Sequence, residues 1–167
     1  IENSTELLVG KEYTVADLYQ IRAEAYEKVK DEKNAKDSYL RAISEYRKEL
    51  RGEERLSRSL SQELAYCLWK SGDVKGADDL YRRLQKKFPN EFTFYFGAAR
   101  MYYSDKKFIE SEGFLRKALT YSYGDNKLRV VELLARALES QHNKTKKAEA
   151  QSLLQTTLAS FTISKTD

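Results

Sequence analysis

Residues 64–90 read LAYCLWKSGDVKGADDLYRRLQKKFPN, a pattern that predicts two helices joined by a tight turn. Gly72 provides the helix stop and Asp73 the N-cap of the next helix. Pro89 and Asn90 end the second helix and leave Asn90 placed to cap a third. Apolar residues recur on one face of each helix, at Leu64, Leu68, Ala77, Tyr81 and Leu84.

The same order of bulky and small side chains occurs three times along the chain. The three occurrences start at Tyr26, Leu68 and Tyr102, and each continues at offsets of 9, 13 and 16 residues. Small side chains let two helices approach closely, and large ones fill the space beside them. The residues at the three offsets are Ala35, Tyr39 and Ala42, then Ala77, Tyr81 and Leu84, then Ser111, Leu115 and Ala118.

This pattern resembles the tetratricopeptide repeat (TPR) family, whose repeat is a helix-turn-helix. The resemblance implies an all-α fold, a right-handed α-solenoid of helix-turn-helix TPR-like repeats. It has three clear repeats and a degenerate C-terminal helix pair, because end repeats of a solenoid are usually atypical. We therefore expect a single TPR-like domain over 1–167, with an N-terminal segment at 1–13, repeats at about 16–49, 58–91 and 92–125, and a capping helix pair at about 126–161.

Two local features refine this division. Thr14 with Asp17 predicts the N-cap of the first helix. Eight extra residues, Leu50 to Ser57, separate the first two repeats. Their apolar periodicity predicts that the helices on either side are each lengthened by about a turn, with Gly52 at the junction.

Composition narrows the class of partner. The chain has 167 residues and a formal net charge of +4, which permits an acidic partner but is too mild for a nucleic-acid footprint. We therefore expect no nucleic-acid partner. A run of about 18 apolar residues is absent from the sequence, so we also expect no membrane span. Scarce cysteine fits the cytoplasm and the bacterial periplasm; the compartment is unknown, with the cytoplasm favoured.

Catalytic chemistry finds little support in the sequence. The seven glycines never take the spacing of a phosphate-binding loop. One Cys and one His cannot build a multi-His metal site. A Cys67/His142 dyad is conceivable, but a lone helical Cys is more often a small buried apolar group. We expect no catalytic, cofactor or metal site, and a protein that is not an enzyme.

The resemblance also implies a binding surface, because the first helix of each TPR lines a concave face. Tyr66, Trp69, Phe96 and Tyr103 lie off the core stripe of their helices, which predicts an exposed aromatic patch in a groove. The alternative is that Trp69 and Phe96 pack between repeats. Carried onto this sequence, the predicted groove residues are Gln20, Glu24, Gln62, Tyr66, Trp69, Lys70, Phe96, Arg100 and Tyr103.

The predicted function is a non-catalytic protein-protein interaction module that binds a partner peptide or helix in this groove. The family's carboxylate-binding clamp is not expected, because Gln20 and Glu24 stand where it needs Lys and Asn. Two alternatives stay open. The same aromatics could drive self-association of an assembly scaffold, which would be a homo-oligomer, or the chain could be a TPR chaperone for exported apolar segments.

Overall fold

The computed structural model describes residues 13–51 and 57–163, with side chains described as far as residue 160. Within these ranges the chain forms helices and no strand. No helix in them is both long enough and apolar enough to cross a lipid bilayer. The helices are α1 Val15–Lys28, α2 Glu32–Glu49, α3 Arg58–Ser71, α4 Val74–Lys87, α5 Phe92–Ser104, α6 Phe108–Tyr121, α7 Asp125–Glu139 and α8 Lys144–Ile163.

The chain divides into two compact units, Ile1–Leu84 and Gln85–Asp167. In the first unit α2 packs against both α1 and α3. Ala16 and Ala23 on α1 have no exposed surface, so the backbones approach closely where these small side chains lie. Large side chains fill the remaining space, and the largest that are fully buried on α2 and α3 are Tyr39, Tyr46 and Leu64.

The core of the second unit is built by α5 to α8. Helix α6 packs against α5 and α7, and α8 packs against α7. Small and large residues again alternate in this core. Its buried members include Phe92, Tyr95, Ala99, Leu115, Ala118, Val130, Leu134, Ala135, Ala137, Leu138 and Ala150.

Local chemistry sets several helix ends as the sequence predicts. Thr14 and Asp17 form a reciprocal capping box: Asp17 N–H donates to Thr14 Oγ1 over 3.2 Å, and Thr14 N–H donates to Asp17 Oδ2 over 2.8 Å. Gly72 ends α3 with a φ of +99°, a left-handed conformation that glycine adopts without strain. Asp73 Oδ1 then accepts a hydrogen bond of 2.9 Å from Gly76 N–H at the start of α4.

Two predicted helix boundaries are wrong. Asn90 does not cap α5, because the N-cap is the next residue, Glu91. The Glu91 N–H donates to Phe88 O, so the turn that precedes α5 ends one residue later than predicted. Of the two helices predicted to be lengthened, α2 has 18 residues but α3 has only 14. Helix α3 begins late because the Ser57 hydroxyl accepts from Leu60 N–H and fixes the start there. The predicted junction at Gly52 lies outside the described residues.

Candidate functional site

The outward side of α3 carries four of the predicted site residues. Gln62, Tyr66, Trp69 and Lys70 are spaced i, i+4, i+7 and i+8, which places them on one side of the helix. We call these four residues the α3 face. All four are half-buried, whereas Leu64 on the opposite side has no exposed surface.

A series of aromatic rings connects this face to the core of the first unit. The ring of buried Tyr39 lies 6.2 Å from that of Tyr66, and the ring of Tyr66 lies 5.8 Å from that of Trp69, both edge to face. Such pairs are worth about 0.5–1.5 kcal/mol beyond their buried area, so the two outer rings are held in place. Lys70 Nζ lies 5.4 Å from the Trp69 ring centre and forms an ion pair of 2.7 Å with Glu27.

Gln20 connects α1 to α3. Its Nε2 donates to Glu63 Oε2 over 2.8 Å and to Glu24 Oε1 over 3.3 Å, and its Oε1 accepts from Cys67 Sγ over 3.3 Å. The Tyr46 hydroxyl lies 2.9 Å from the same Oε1. The amide of Gln20 is therefore used within the protein, and the carboxylates of Glu24 and Glu63 make this region electronegative.

The other three predicted site residues lie together in the second unit. Phe96, Arg100 and Tyr103 are spaced i, i+4 and i+7 along α5, and we call them the α5 face. Phe96 and Tyr103 are half-buried and pack against the core of the unit, while Arg100 is exposed. The Tyr103 ring also lies 5.4 Å from the ring of Phe108.

Arg129 on α7 also belongs to this surface, although it is not among the predicted groove residues. Its guanidinium carbon lies 5.8 Å from the centre of the Phe96 ring. A signal was present, because Arg129, Leu133 and Arg136 follow the spacing i, i+4 and i+7 that defines the α5 face. The family positions that predict the other groove residues are poorly defined in the degenerate helix pair to which α7 belongs.

The environment of Cys67 does not favour the conceivable Cys67/His142 dyad. Cys67 is fully buried, and its burial together with the charges of Glu63 and Glu24 raises the pKa of the thiol above its usual range. A thiol that stays protonated is a poor nucleophile and a poor metal ligand. His142 lies in the turn between α7 and α8, with a φ of +53°. Among described residues, no three His, Cys, Asp or Glu side chains group to hold a metal ion.

The helix pairs match known structures. MamA AMB-1, solved in space group P212121, aligns with a TM-score of 0.50 at 14% identity, covering 90% of this chain and 75% of its own. MamA MSR-1, in space group C2, aligns with a TM-score of 0.51 at 14% identity, covering 92% and 84%. MamA is a TPR-repeat protein. The fold of this chain is TPR-like.

At this level of identity the structural likeness establishes the fold and nothing further. No protein-family model and no curated protein matches the sequence. The predicted fold class, an all-α arrangement of helix-turn-helix TPR-like repeats, is confirmed, since the structural neighbours are TPR-like helical solenoids. The structure places six predicted site residues on α1 and α3 of the first unit and three on α5 of the second. A single groove that unites all nine stays a prediction.

Proposed function

We propose that this chain is a non-catalytic protein-interaction module, and that a peptide or helix of its partner binds to the α3 face. The observation that carries the proposal is the position of Tyr66 and Trp69. Both rings keep part of their surface in solvent, although the core-facing side of the same helix is already filled by Leu64, Ala65 and Leu68. The two rings are therefore additional to what the core of the unit requires.

The energetics of binding favour such a pair. Trp and Tyr bury a large apolar area while losing little side-chain freedom, and they are enriched among residues that dominate binding energy. Contacts with Tyr39 hold Tyr66, and contacts with Tyr66 hold Trp69, so the rings need little reorganisation when a partner arrives. Gln62 and Lys70 supply the polar rim that interfaces usually have around an aromatic centre.

The charges around the α3 face restrict what it can bind. Glu24 and Glu63 accept hydrogen bonds from the neutral amide of Gln20, and these bonds do not neutralise their negative charge. Lys70 is already paired with Glu27. A partner segment on this face should therefore present apolar groups to the rings and direct no carboxylate toward α1.

The test is selection of peptides on the purified chain from a phage-displayed random library. Enriched peptides are then measured by fluorescence anisotropy against wild type, the double variant Tyr66→Ala with Trp69→Ala, and the control Tyr123→Ala. Tyr123 is 72% exposed and lies in the α6–α7 turn, so the control removes an aromatic ring outside the α3 face. The double variant should lose at least about 2 kcal/mol of binding free energy, which is about thirtyfold in affinity.

Circular dichroism checks that the double variant keeps its helices. The control should bind as wild type does. If enriched peptides bind the helical double variant as tightly as wild type, the α3 face is not the binding surface and the proposal fails.

A second candidate is self-association as an assembly scaffold, and the outer side of α1 favours it. Val15, Ile21 and Val29 are 40%, 48% and 72% exposed and fall within about a third of the helix circumference. Exposed apolar stripes of this kind often mark interaction surfaces. Light scattering of wild type, Ile21→Glu and the Tyr66/Trp69 double variant tests it. A monomeric mass for wild type at all concentrations excludes this candidate.

A further inference from the structure

We infer that the α5 face, together with Arg129, binds an acidic amphipathic segment of the partner, in which Asp or Glu lies one helical turn from Leu or Phe. The inference rests on the proposed interaction role and specifies the chemistry of the partner segment that the second unit binds. It concerns different residues from those of the α3 face, so the two can fail separately.

The contact between Arg129 and Phe96 prepares a carboxylate site. The guanidinium carbon lies 5.8 Å from the ring centre. Cation–π attraction holds the guanidinium beside the ring, while the N–H groups at the edge of its plane remain able to donate. Those N–H groups form a fork that matches both oxygens of one carboxylate. Holding the fork beforehand lowers the entropy lost when the carboxylate binds.

The aromatic rings beside this fork supply the apolar part of the surface. Phe96 and Tyr103 pack against buried residues of the unit on one side and reach solvent on the other. Arg100 is exposed and lies on the same side of α5, one turn after Phe96. A segment that contacts both rings therefore passes two guanidinium groups, which favour Asp or Glu beside its apolar residues.

Net charge supports an acidic partner for the second unit in particular. Residues 85–167 contain 14 Lys and Arg against nine Asp and Glu, a net charge of +5. Residues 1–84 contain 16 against 17, a net charge of −1, and the two values account for the total of +4. The excess of positive charge therefore belongs to the unit that carries Arg129 and Arg100. It would attract an acidic segment over distances up to about 10 Å in moderate salt.

Two acidic side chains of the second unit, Glu112 and Glu132, are engaged in ion pairs with other residues of the unit. Glu112 accepts from Arg116 and Lys146 on α6 and α8, away from the α5 face. Glu132 on α7 forms an ion pair of 2.7 Å with Arg136. Arg129 is in contact with a ring rather than with a carboxylate in the described structure. The carboxylate that completes its fork would come from the partner.

The experiment compares two synthetic helical peptides with identical Leu and Phe positions, one carrying Glu and the other Lys at every charged position. Affinities are measured by fluorescence anisotropy for wild type, Arg129→Ala, Arg129→Lys and the control Lys127→Ala. Lys127 is an exposed cation of the same helix on another side, so the control removes equal charge without touching Phe96. Each titration is repeated at about 0.05 M and about 0.5 M NaCl.

The Glu peptide should bind wild type at least about tenfold more tightly than the Lys peptide, and high salt should weaken it. Arg129→Ala should weaken the Glu peptide by about tenfold or more, the loss typical of a hydrogen bond to a charged group. Arg129→Lys keeps the positive charge but not the forked N–H groups, so its affinity for the Glu peptide should lie between those of wild type and Arg129→Ala. Lys127→Ala should change affinity less than threefold or so, as expected for a screened surface charge.

Equal binding of the two peptides, binding of neither, or an unchanged affinity in Arg129→Ala overturns the inference. Arg129→Lys keeps the test decisive if the Ala variant loses helicity. The α3 face is assessed separately, because the proposed function fails only when the Tyr66/Trp69 variant still binds its selected peptides.

Discussion

The Tyr46 hydroxyl donates a hydrogen bond of 2.6 Å to Asp17 Oδ1 and so joins α2 to the first turn of α1. The other oxygen of the same carboxylate accepts from Thr14 N–H in the capping box. Asp17 therefore both begins α1 and attaches it to the next helix. Burial and this hydrogen bond raise the pKa of Tyr46 well above its usual range, so the hydroxyl remains a donor at neutral pH.

Tyr46→Phe should lower the free energy of unfolding by about 1–2 kcal/mol. The ring still fills its fully buried position, but the hydrogen bond to a carboxylate is lost. Urea denaturation followed by circular dichroism measures the change. Tyr123→Phe is the matched control, because its side chain is 72% exposed and should shift the free energy by less than about 0.5 kcal/mol. Equal effects of the two substitutions would show that the bond to Asp17 does not stabilise the first unit.

Glycine substitutions should give opposite signs at two positions where a Cβ atom meets nothing within 4 Å. Gly72 has a φ of +99°, so Gly72→Ala forces an L-residue into the left-handed region and should destabilise by about 1–2 kcal/mol. Gly113 lies within α6, so Gly113→Ala should stabilise by about 0.5–1 kcal/mol through helix propensity. Thermal denaturation of both variants checks the signs. If both substitutions destabilise the protein, steric crowding around the added Cβ atom, rather than backbone conformation, determines their effect.

The structural features that the sequence predicts correctly are those that depend on residues close together in the chain. The turn at Gly72 and Asp73 and the capping box at Thr14 and Asp17 were predicted correctly, because a cap involves residues within one turn of each other. The helix-turn-helix repeats were predicted from the spacing of bulky and small side chains. The N-cap of α5 was assigned to Asn90 instead of Glu91, because both residues are plausible caps and the turn after Pro89 selects between them.

Contacts between distant residues could not be predicted in the same way. Gln20 and Glu63 are 43 positions apart, and only the packing of α1 beside α3 brings the amide to the carboxylate. Arg129 contacts Phe96 from α7, a helix that matches the repeat pattern poorly. The family resemblance therefore does not mark Arg129 as a groove residue. The residue types of a binding face can therefore be listed from sequence, whereas their hydrogen-bond partners depend on the packed helices.

Glu112 should make stability depend on acid pH. Burial alone would raise its pKa, but hydrogen bonds from Gln141, Lys146 and Arg116 outweigh burial and lower it to about 2, from an ordinary value of 4.5. A carboxyl whose folded pKa is lowered stabilises the protein above its unfolded pKa. That contribution, about 2–3 kcal/mol, should be lost as pH falls from about 4.5 to about 2. Urea denaturation at several pH values measures it.

Glu112→Gln is the variant that isolates this effect. It removes the Glu112 carboxylate from Arg116 and Lys146 and leaves them only that of Glu149, so it should be destabilised by about 2 kcal/mol at pH 7. The difference from wild type should shrink as pH falls toward 2. Glu132→Gln removes a carboxylate that is 61% exposed and should show little change. A constant difference between wild type and Glu112→Gln across this pH range would contradict the assignment.

Cys67 should react with a disulfide reagent only when the first unit opens. Its side chain has no exposed surface, and burial raises the pKa of the thiol, so little thiolate exists at neutral pH. The rate of reaction with Ellman's reagent should therefore rise with urea in step with unfolding. In a Cys67→Ala background, Ser104→Cys provides an exposed control thiol that should react at once. Tyr46→Phe should accelerate the reaction of Cys67 by about fivefold or more, since it lowers the free energy of opening without touching the sulfur. Rapid and complete reaction of wild type without urea would show that Cys67 is accessible in the native state. A nucleophilic role for Cys67 would then be possible again.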